Sequence, residues 1–307
     1  MADVGDNNFM KYIYRGEEGE IIPWGATHIT VAEDVTFVRS RAFYEHDDII
    51  EVICHENVKK IERWAFNDCP NLKRVIMPGV KEVEEEAFSE CRALTDVECG
   101  KLEIIGRGAF GDCVSLRSMN SLRSINLPFV RIVQREAFWQ CKALTEVKFG
   151  NNLLRFDDCA FFNCRSLERI TIPLKDGLMI SRDDIFQACK KLQQIDLLEG
   201  ELHETIATLH LEEWRNDMKE EIDSINQILP NAAAGGDDED NGDKARAIRR
   251  WIRSVLGKIS RYKVEHKWLL NEAATTLQIA LPHDIVTNNV LPFLELHRTR
   301  LKLNRMR

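Results

Sequence analysis

No run of 18 or more uninterrupted apolar residues occurs in this 307-residue chain, so no segment has the length of a membrane-spanning helix. Residues 1–10 carry Asp3 and Asp6 and no apolar stretch, unlike a secretory signal. Asn-x-Ser/Thr sequons are absent, and so are His-Glu-x-x-His and Gly-x-Ser-x-Gly, which removes the commonest sequence signs of glycosylation, zinc proteolysis and serine hydrolysis. Cysteine is not scarce, but nine is an odd count, and the spacings are those of a repeat rather than a disulfide framework. They read as reduced thiols of a cytoplasmic protein, with the nucleus as the other compartment.

What the sequence has instead is self-similarity. A small residue followed by Phe, with Cys or a substitute at the fifth position, begins at Ala42, Ala65, Ala87, Ala109, Ala137, Ala160 and Ile185. Successive starts differ by 23, 22, 22, 28, 23 and 25 residues, the fixed period of a solenoid. Counted from the Ala, apolar residues recur at −7, −4, 0, +1, +4, +7, +10 and +12; in the second copy these are Val58, Ile61, Ala65, Phe66, Cys69, Leu72, Val75 and Met77. Positions 0, +4 and +7 have the spacing of a helical turn, whereas +10 and +12 alternate as in a strand. Each unit is thus expected to be a helical turn plus a strand, closed at +13 by Pro78, Gly100, Gly150 or Pro173. A single unit cannot bury its apolar side, but a stack of seven or eight builds a continuous core.

The pattern Leu-x-x-Val-x-Met-Pro followed by Val-x-x-Val-x-x-x-Ala-Phe-x-x-Cys resembles the BspA-like class of leucine-rich repeat, over about residues 28–198. The runs Tyr12-Ile13-Tyr14-Arg15-Gly16-Glu17-Glu18-Gly19-Glu20 and Leu209-His210-Leu211-Glu212-Glu213-Trp214-Arg215-Asn216-Asp217 are similar to the diatom expansion of that class. The resemblance implies an α/β fold, a right-handed horseshoe solenoid, with a binding role and no reaction. His46 replaces Cys in the first copy and Ile185 replaces Ala in the last, as befits coils near the ends.

The 28-residue interval has a visible cause. Ser115-Leu116-Arg117-Ser118-Met119-Asn120 is followed directly by Ser121-Leu122-Arg123-Ser124-Ile125-Asn126, a tandem hexapeptide duplication. It is either a loop that meets a ligand or a tolerated surface insertion, since closing a slightly longer loop costs little.

Two motifs imitate chemistry. Gly106-Arg107-Gly108-Ala109-Phe110-Gly111 fits the dinucleotide fingerprint, but the same six positions one copy earlier read Glu84-Glu85-Glu86-Ala87-Phe88-Ser89, without glycine. Cys69, Cys91, Cys113, Cys141, Cys164 and Cys189 form a linear series that does not converge as a tetrahedral metal site must. Cys54 and Cys99 share the +12 position with Met77, Phe149 and Ile172, as apolar filler, and Cys159 stands outside these positions. The reading is a non-enzyme with no cofactor, no metal and no catalytic residues.

In a horseshoe the +9 and +11 side chains project from the concave sheet. They are Glu51 and Ile53, Arg74 and Ile76, Asp96 and Glu98, Ser124 and Asn126, Glu146 and Lys148, Arg169 and Thr171, Gln194 and Asp196. Their variability makes them the candidate partner-binding residues, polar and without an aromatic anchor.

Residues 1–27 are expected to cap the solenoid, and residues 199–307 to form a helical hairpin with a basic tail. Leu211, Trp214, Met218, Ile222, Ile225 and Leu229 step as an amphipathic helix, and so do Ile248, Ile252, Val255, Ile259, Tyr262, His266 and Leu269. Coiled-coil spacing in both, an acidic mobile linker at 231–243, and opposite charge favour an antiparallel pair. The net charge is −18 over residues 1–243 and +10 over 244–307. The second helix either caps the last coil, receives a protein, or both. Together these features predict an intracellular, monomeric protein-interaction scaffold. The alternatives are a nucleic-acid or anionic-surface binder using the basic segment from Lys244, and an extracellular recognition protein.

Overall fold

A computed structural model describes residues 10–119, 125–175, 177–198, 216, 220, 224 and 243–278. Its described strands form two parallel sheets, one on each side of the coils, joined by the Ala-Phe-x-x-Cys turns. The ten-stranded sheet takes Met10–Tyr14, Ala26–Val31 and then the +9 to +11 segment of each coil: Glu51–Ile53, Arg74–Ile76, Asp96–Glu98, Ser118–Met119, Ile125–Leu127, Glu146–Phe149, Arg169–Pro173 and Gln194–Leu198. The seven-stranded sheet is built of two-residue strands ending near position −4, from Phe37–Val38 and Lys60–Ile61 through to Met179–Ile180. The buried −4 residue is visible in the sequence but this second sheet is not, because a two-residue strand cannot display alternation.

The helical turn expected at Ala-Phe-x-x-Cys is not formed. In the complete copies the residue before Ala and the residue at +3 are left-handed, as at Trp64 (φ 58°) and Asp68 (φ 54°) or Glu86 (φ 51°) and Glu90 (φ 61°). Two such residues in five stop a helix, and they turn amides toward the next coil. Trp64, Phe66 and Asp68 donate their N–H groups to the carbonyls of Glu85, Ala87 and Ser89, at 2.8–3.0 Å. Glu86, Phe88 and Glu90 repeat the pattern on Arg107, Ala109 and Gly111. The turns therefore stack through a ladder of their own, and their backbone polarity is met between coils rather than within a helix. Only the last copy differs, with Asp183–Phe186 as a 3-10 helix. Pro173, expected to follow its strand and stop it, is the strand's own buried last residue.

The core between the sheets is continuous. Phe43, Phe66, Phe88, Phe110, Phe138, Phe161 and Phe186 stack ring on ring, with centroids 4.7–5.7 Å apart. Each fully buried Phe contributes on the order of 1.5–3 kcal/mol from area alone. Beside the rings, each ladder thiol donates to the Phe carbonyl of the coil before it: Cys69 to Phe43, Cys91 to Phe66, Cys113 to Phe88, Cys141 to Phe110, Cys164 to Phe138 and Cys189 to Phe161, all at 3.0–3.1 Å. The first coil has no earlier Phe to receive such a bond, and there His46 fills the slot, buried and stacked on Trp24.

The duplicated hexapeptide adds a strand. Met119 of the first copy lies opposite Ile125 of the second, the equivalent residue, and the two strands enter the ten-stranded sheet between Asp96–Glu98 and Glu146–Phe149. On the other side nothing is inserted: Ile104 pairs with Ile132, and Phe110 stacks directly on Phe138. Residues 120–124, at the junction of the copies, are outside the described residues.

The helix Asp243–Gln278 closes the C-terminal end, burying Ala245, Ile248, Trp251, Ile252 and Val255. In earlier coils the carbonyl that matches Ile180 accepts an amide from the next coil, as Phe156 does from Ser181. At Met179–Ile180, the last described strand of its sheet, Arg249 Nη1 donates to Ile180 O at 3.2 Å. Lys244 Nζ likewise donates to Cys189 O at 2.8 Å and Leu192 O at 3.1 Å, and burial holds its pKa below the usual lysine value. The cap thus works by supplying cationic donors to end-coil carbonyls. Of the first expected helix, Asn216, Glu220 and Ser224 are helical; its pairing, the linker at 231–242 and the tail lie outside the described residues.

Candidate interaction face

The outward side chains of the ten-stranded sheet fall into two rows fixed by strand register. One runs Lys11, His28, Glu51, Arg74 and Asp96, and resumes at Glu146, Arg169 and Gln194. The other runs Ile13, Thr30, Ile53, Ile76 and Glu98, then Asn126, Lys148, Thr171 and Asp196. Between them Val52, Val75, Val97, Val147, Ile170 and Ile195 point into the core. Register brings the predicted residues together on one face, with two exceptions. Ser124 is outside the described residues, and Thr171 is 6% exposed, beneath its neighbours rather than offered to solvent. Lys11, Ile13, His28 and Thr30 belong to the same rows, but their strands precede the first Ala-Phe motif. The alternation Ile29-x-Val31 is the only signal that marks them.

Charge on this face is cross-linked locally. Arg74 reaches Glu51 at 3.4 Å and Asp96 at 3.7 Å, and hydrogen-bonds Glu98. Arg169 lies 3.9 Å from Glu146 and 3.2 Å from Asp196, while Lys148 pairs with Glu146 at 3.2 Å. The two clusters flank the inserted strand. Partly exposed pairs of this kind add little stability, about 0–1 kcal/mol each, so they fix a surface pattern more than they hold the fold. Ile53 and Ile76 are adjacent apolar members of the second row, with Ile53 37% exposed, and Thr30 separates them from Ile13.

The motifs that imitate chemistry are absorbed by stacking. A side chain at Gly106 would sit 2.5 Å from the backbone carbon of Glu84 and 2.7 Å from Val83 O, so this glycine serves coil-to-coil approach. Burial pushes the thiols of Cys54 and Cys99 up to about 12. Cys159, half-buried, is raised to about 12 by burial and by the Asp184 carboxylate, to which its Sγ donates at 3.3 Å. A thiol nucleophile needs the opposite shift. Trp64 is held between Arg41 and Arg63 at 4.5 and 4.0 Å, and Trp139 stacks on Phe162 at 4.1 Å. Among the described residues, no group of three or more His, Cys, Asp or Glu is arranged to hold a metal ion, and no helix is long and apolar enough to cross a membrane.

Six repeat copies match the family described as BspA type leucine rich repeat region, over residues 25–127 and 118–213. The chain belongs to the BspA-type leucine-rich repeat family. Leucine-rich repeat proteins of this kind are non-enzymatic and mediate protein interactions or surface recognition. Among solved structures, the BspA-type chain is similar to a leucine rich cell surface protein from Faecalibacterium prausnitzii, at 18% identity over 63% of this chain and 85% of that one, with a TM-score of 0.27. It is also similar to the T. pallidum leucine rich repeat protein, at 19% identity over 61% and 69% with a TM-score of 0.33. The pneumococcal vaccine antigen PcpA is 13% identical over 64% and 80%, with a TM-score of 0.25. No curated protein matches the sequence.

Proposed function

We propose that this protein is a non-catalytic, intracellular interaction scaffold, and that the outward face of its ten-stranded sheet recognises a protein partner. The observation that carries this reading is the contrast along one strand: Val52, Val75, Val97 and Val147 are nearly uniform and buried, while their outward neighbours change from coil to coil. A face whose side chains are free of packing is free to encode a partner. The face acts as the concave side of a horseshoe, a reading supported by Phe rings 4.7–5.7 Å apart in the turns against about 4.8 Å between strands. The inserted strand flattens that curve locally.

Nine free thiols, eight of them buried, support a reducing compartment, the cytoplasm or the nucleus. The scaffold acts as a monomer whose C-terminal helices pair as a hairpin with coiled-coil spacing, and the runs at 12–20 and 209–217 support kinship with the diatom expansion of the family. Affinity capture with the full chain tests the reading, using wild type and a variant carrying Glu51→Lys, Arg74→Glu, Glu146→Lys and Arg169→Glu. Proteins retained by wild type and lost with the variant are the expected result; an identical set from both baits removes the sheet face as the site.

A further inference from the structure

The end of the solenoid holds a second surface of different character. Where Gly177–Ser181 meets the helix, a groove of about 390 Å³ runs between Leu178, Met179 and Ile180 on one wall and Ile252 and Leu256 on the other. Met179 is 59% exposed although its neighbours pack. The rim is cationic. Lys175, Arg249 and Arg253 line the groove itself, Arg246 and Arg250 join Arg249 and Arg253 in the adjoining hollow, and Arg182 lies across from Arg249. Arg246, Arg249, Arg250 and Arg253 step by 3, 1 and 3 along the helix, so they share one side of it.

These arginines are not equivalent. Arg249 is committed to capping through Ile180 O, and Arg182 pairs with Asp158 at 3.1 Å. Arg250 and Arg253 are exposed; Arg253 lines the apolar groove itself, and Arg250 lines the hollow that adjoins it. Guanidinium forks suit carboxylates, and an apolar cleft of this size takes a side chain or two.

We propose that this groove receives a short acidic peptide of a partner protein, one that seats an apolar side chain against Met179 and Leu256 and sets carboxylates on Arg250 and Arg253. Charge selects this occupant: the helix segment 244–258 that borders the groove carries Lys244, Arg246, Arg249, Arg250, Arg253 and Lys258 and no carboxylate, and residues 101–198 beneath it sum to +4, so an acidic segment is steered to this end. Nucleic acid fits less well. Trp251 and Tyr262, the helix aromatics nearest the groove, are buried and give bases no stacking platform there. The site lies at the end of the stack and is independent of the sheet face.

The test is fluorescence anisotropy of the full chain with a fluorescein-labelled decapeptide of alternating Glu and Leu. The expected result is saturable binding that weakens at least tenfold with Arg250→Glu plus Arg253→Glu, and about threefold with Met179→Ser. Thermal unfolding should be unchanged in both variants, because these side chains are exposed. Absence of saturable binding, or equal binding by the double charge reversal, would overturn the proposal. So would a thymidine decanucleotide that binds more tightly than the peptide and is lost in the same variants, which would reassign the groove to nucleic acid.

Discussion

The two sides of each coil are built on opposite rules. In the turns, Ala, Phe and Cys recur because each coil's Phe ring and carbonyl are the next coil's packing surface and hydrogen-bond acceptor. On the sheet, the same stacking is done by backbone and by the inward Val or Ile, so the outward positions carry Glu, Arg, Asp or Lys without cost to the stack. The contrast teaches where to look for function in such a molecule: in the residues that repetition leaves alone.

Breaking the turn side should have the largest effect. Phe88→Ala removes a ring stacked on both Phe66 and Phe110, and should lower unfolding free energy by about 3–5 kcal/mol in urea titration. Alkaline pH probes the thiols. Burial raises Cys54 and Cys99 to about 12, so the folded chain holds their protons where the unfolded chain releases them. Their contribution is intact below about pH 9 and is lost as pH rises from there toward about 12; between pH 9 and 10 each should cost about 1 kcal/mol, read by urea midpoints across that range. Deletion of residues 121–126 tests the inserted strand. The Ile104–Ile132 and Phe110–Phe138 contacts need no change, so stability should shift by only about 1 kcal/mol, while small-angle scattering reports an altered curvature. The smallest effect belongs to the sheet face. Arg74→Ala, despite its three carboxylate neighbours, should change stability by no more than about 0.5–1 kcal/mol, since the pairs are partly solvated.

The stack itself was legible because periodicity is a sequence property: Ala65, Phe66, Cys69, Leu72 and Val75 repeat at fixed offsets, and all are buried. The local conformation was not. The spacing of Ala65, Cys69 and Leu72 imitates a helical turn, and nothing in Trp64, Asp68, Glu86 or Glu90 announces a left-handed backbone; stacking on the next coil imposes it. The rows of the candidate face could be read wherever the motif supplied a count, and were lost at Lys11 and His28, where no motif does. The cap was foreseen as an apolar helix face, but the roles of Lys244 and Arg249 depend on carbonyls more than 50 residues away, which only the fold brings near.

Site-specific photo-crosslinking in native extract tests the division of labour most directly. A benzophenone side chain is placed in the full chain at Ile53 or Lys148 on the sheet face, or at Asn67 or Ser89 in the turns. Discrete crosslinked partners from Ile53 and Lys148, absent from Asn67 and Ser89, are the predicted result; partners captured only from the turn positions would contradict it.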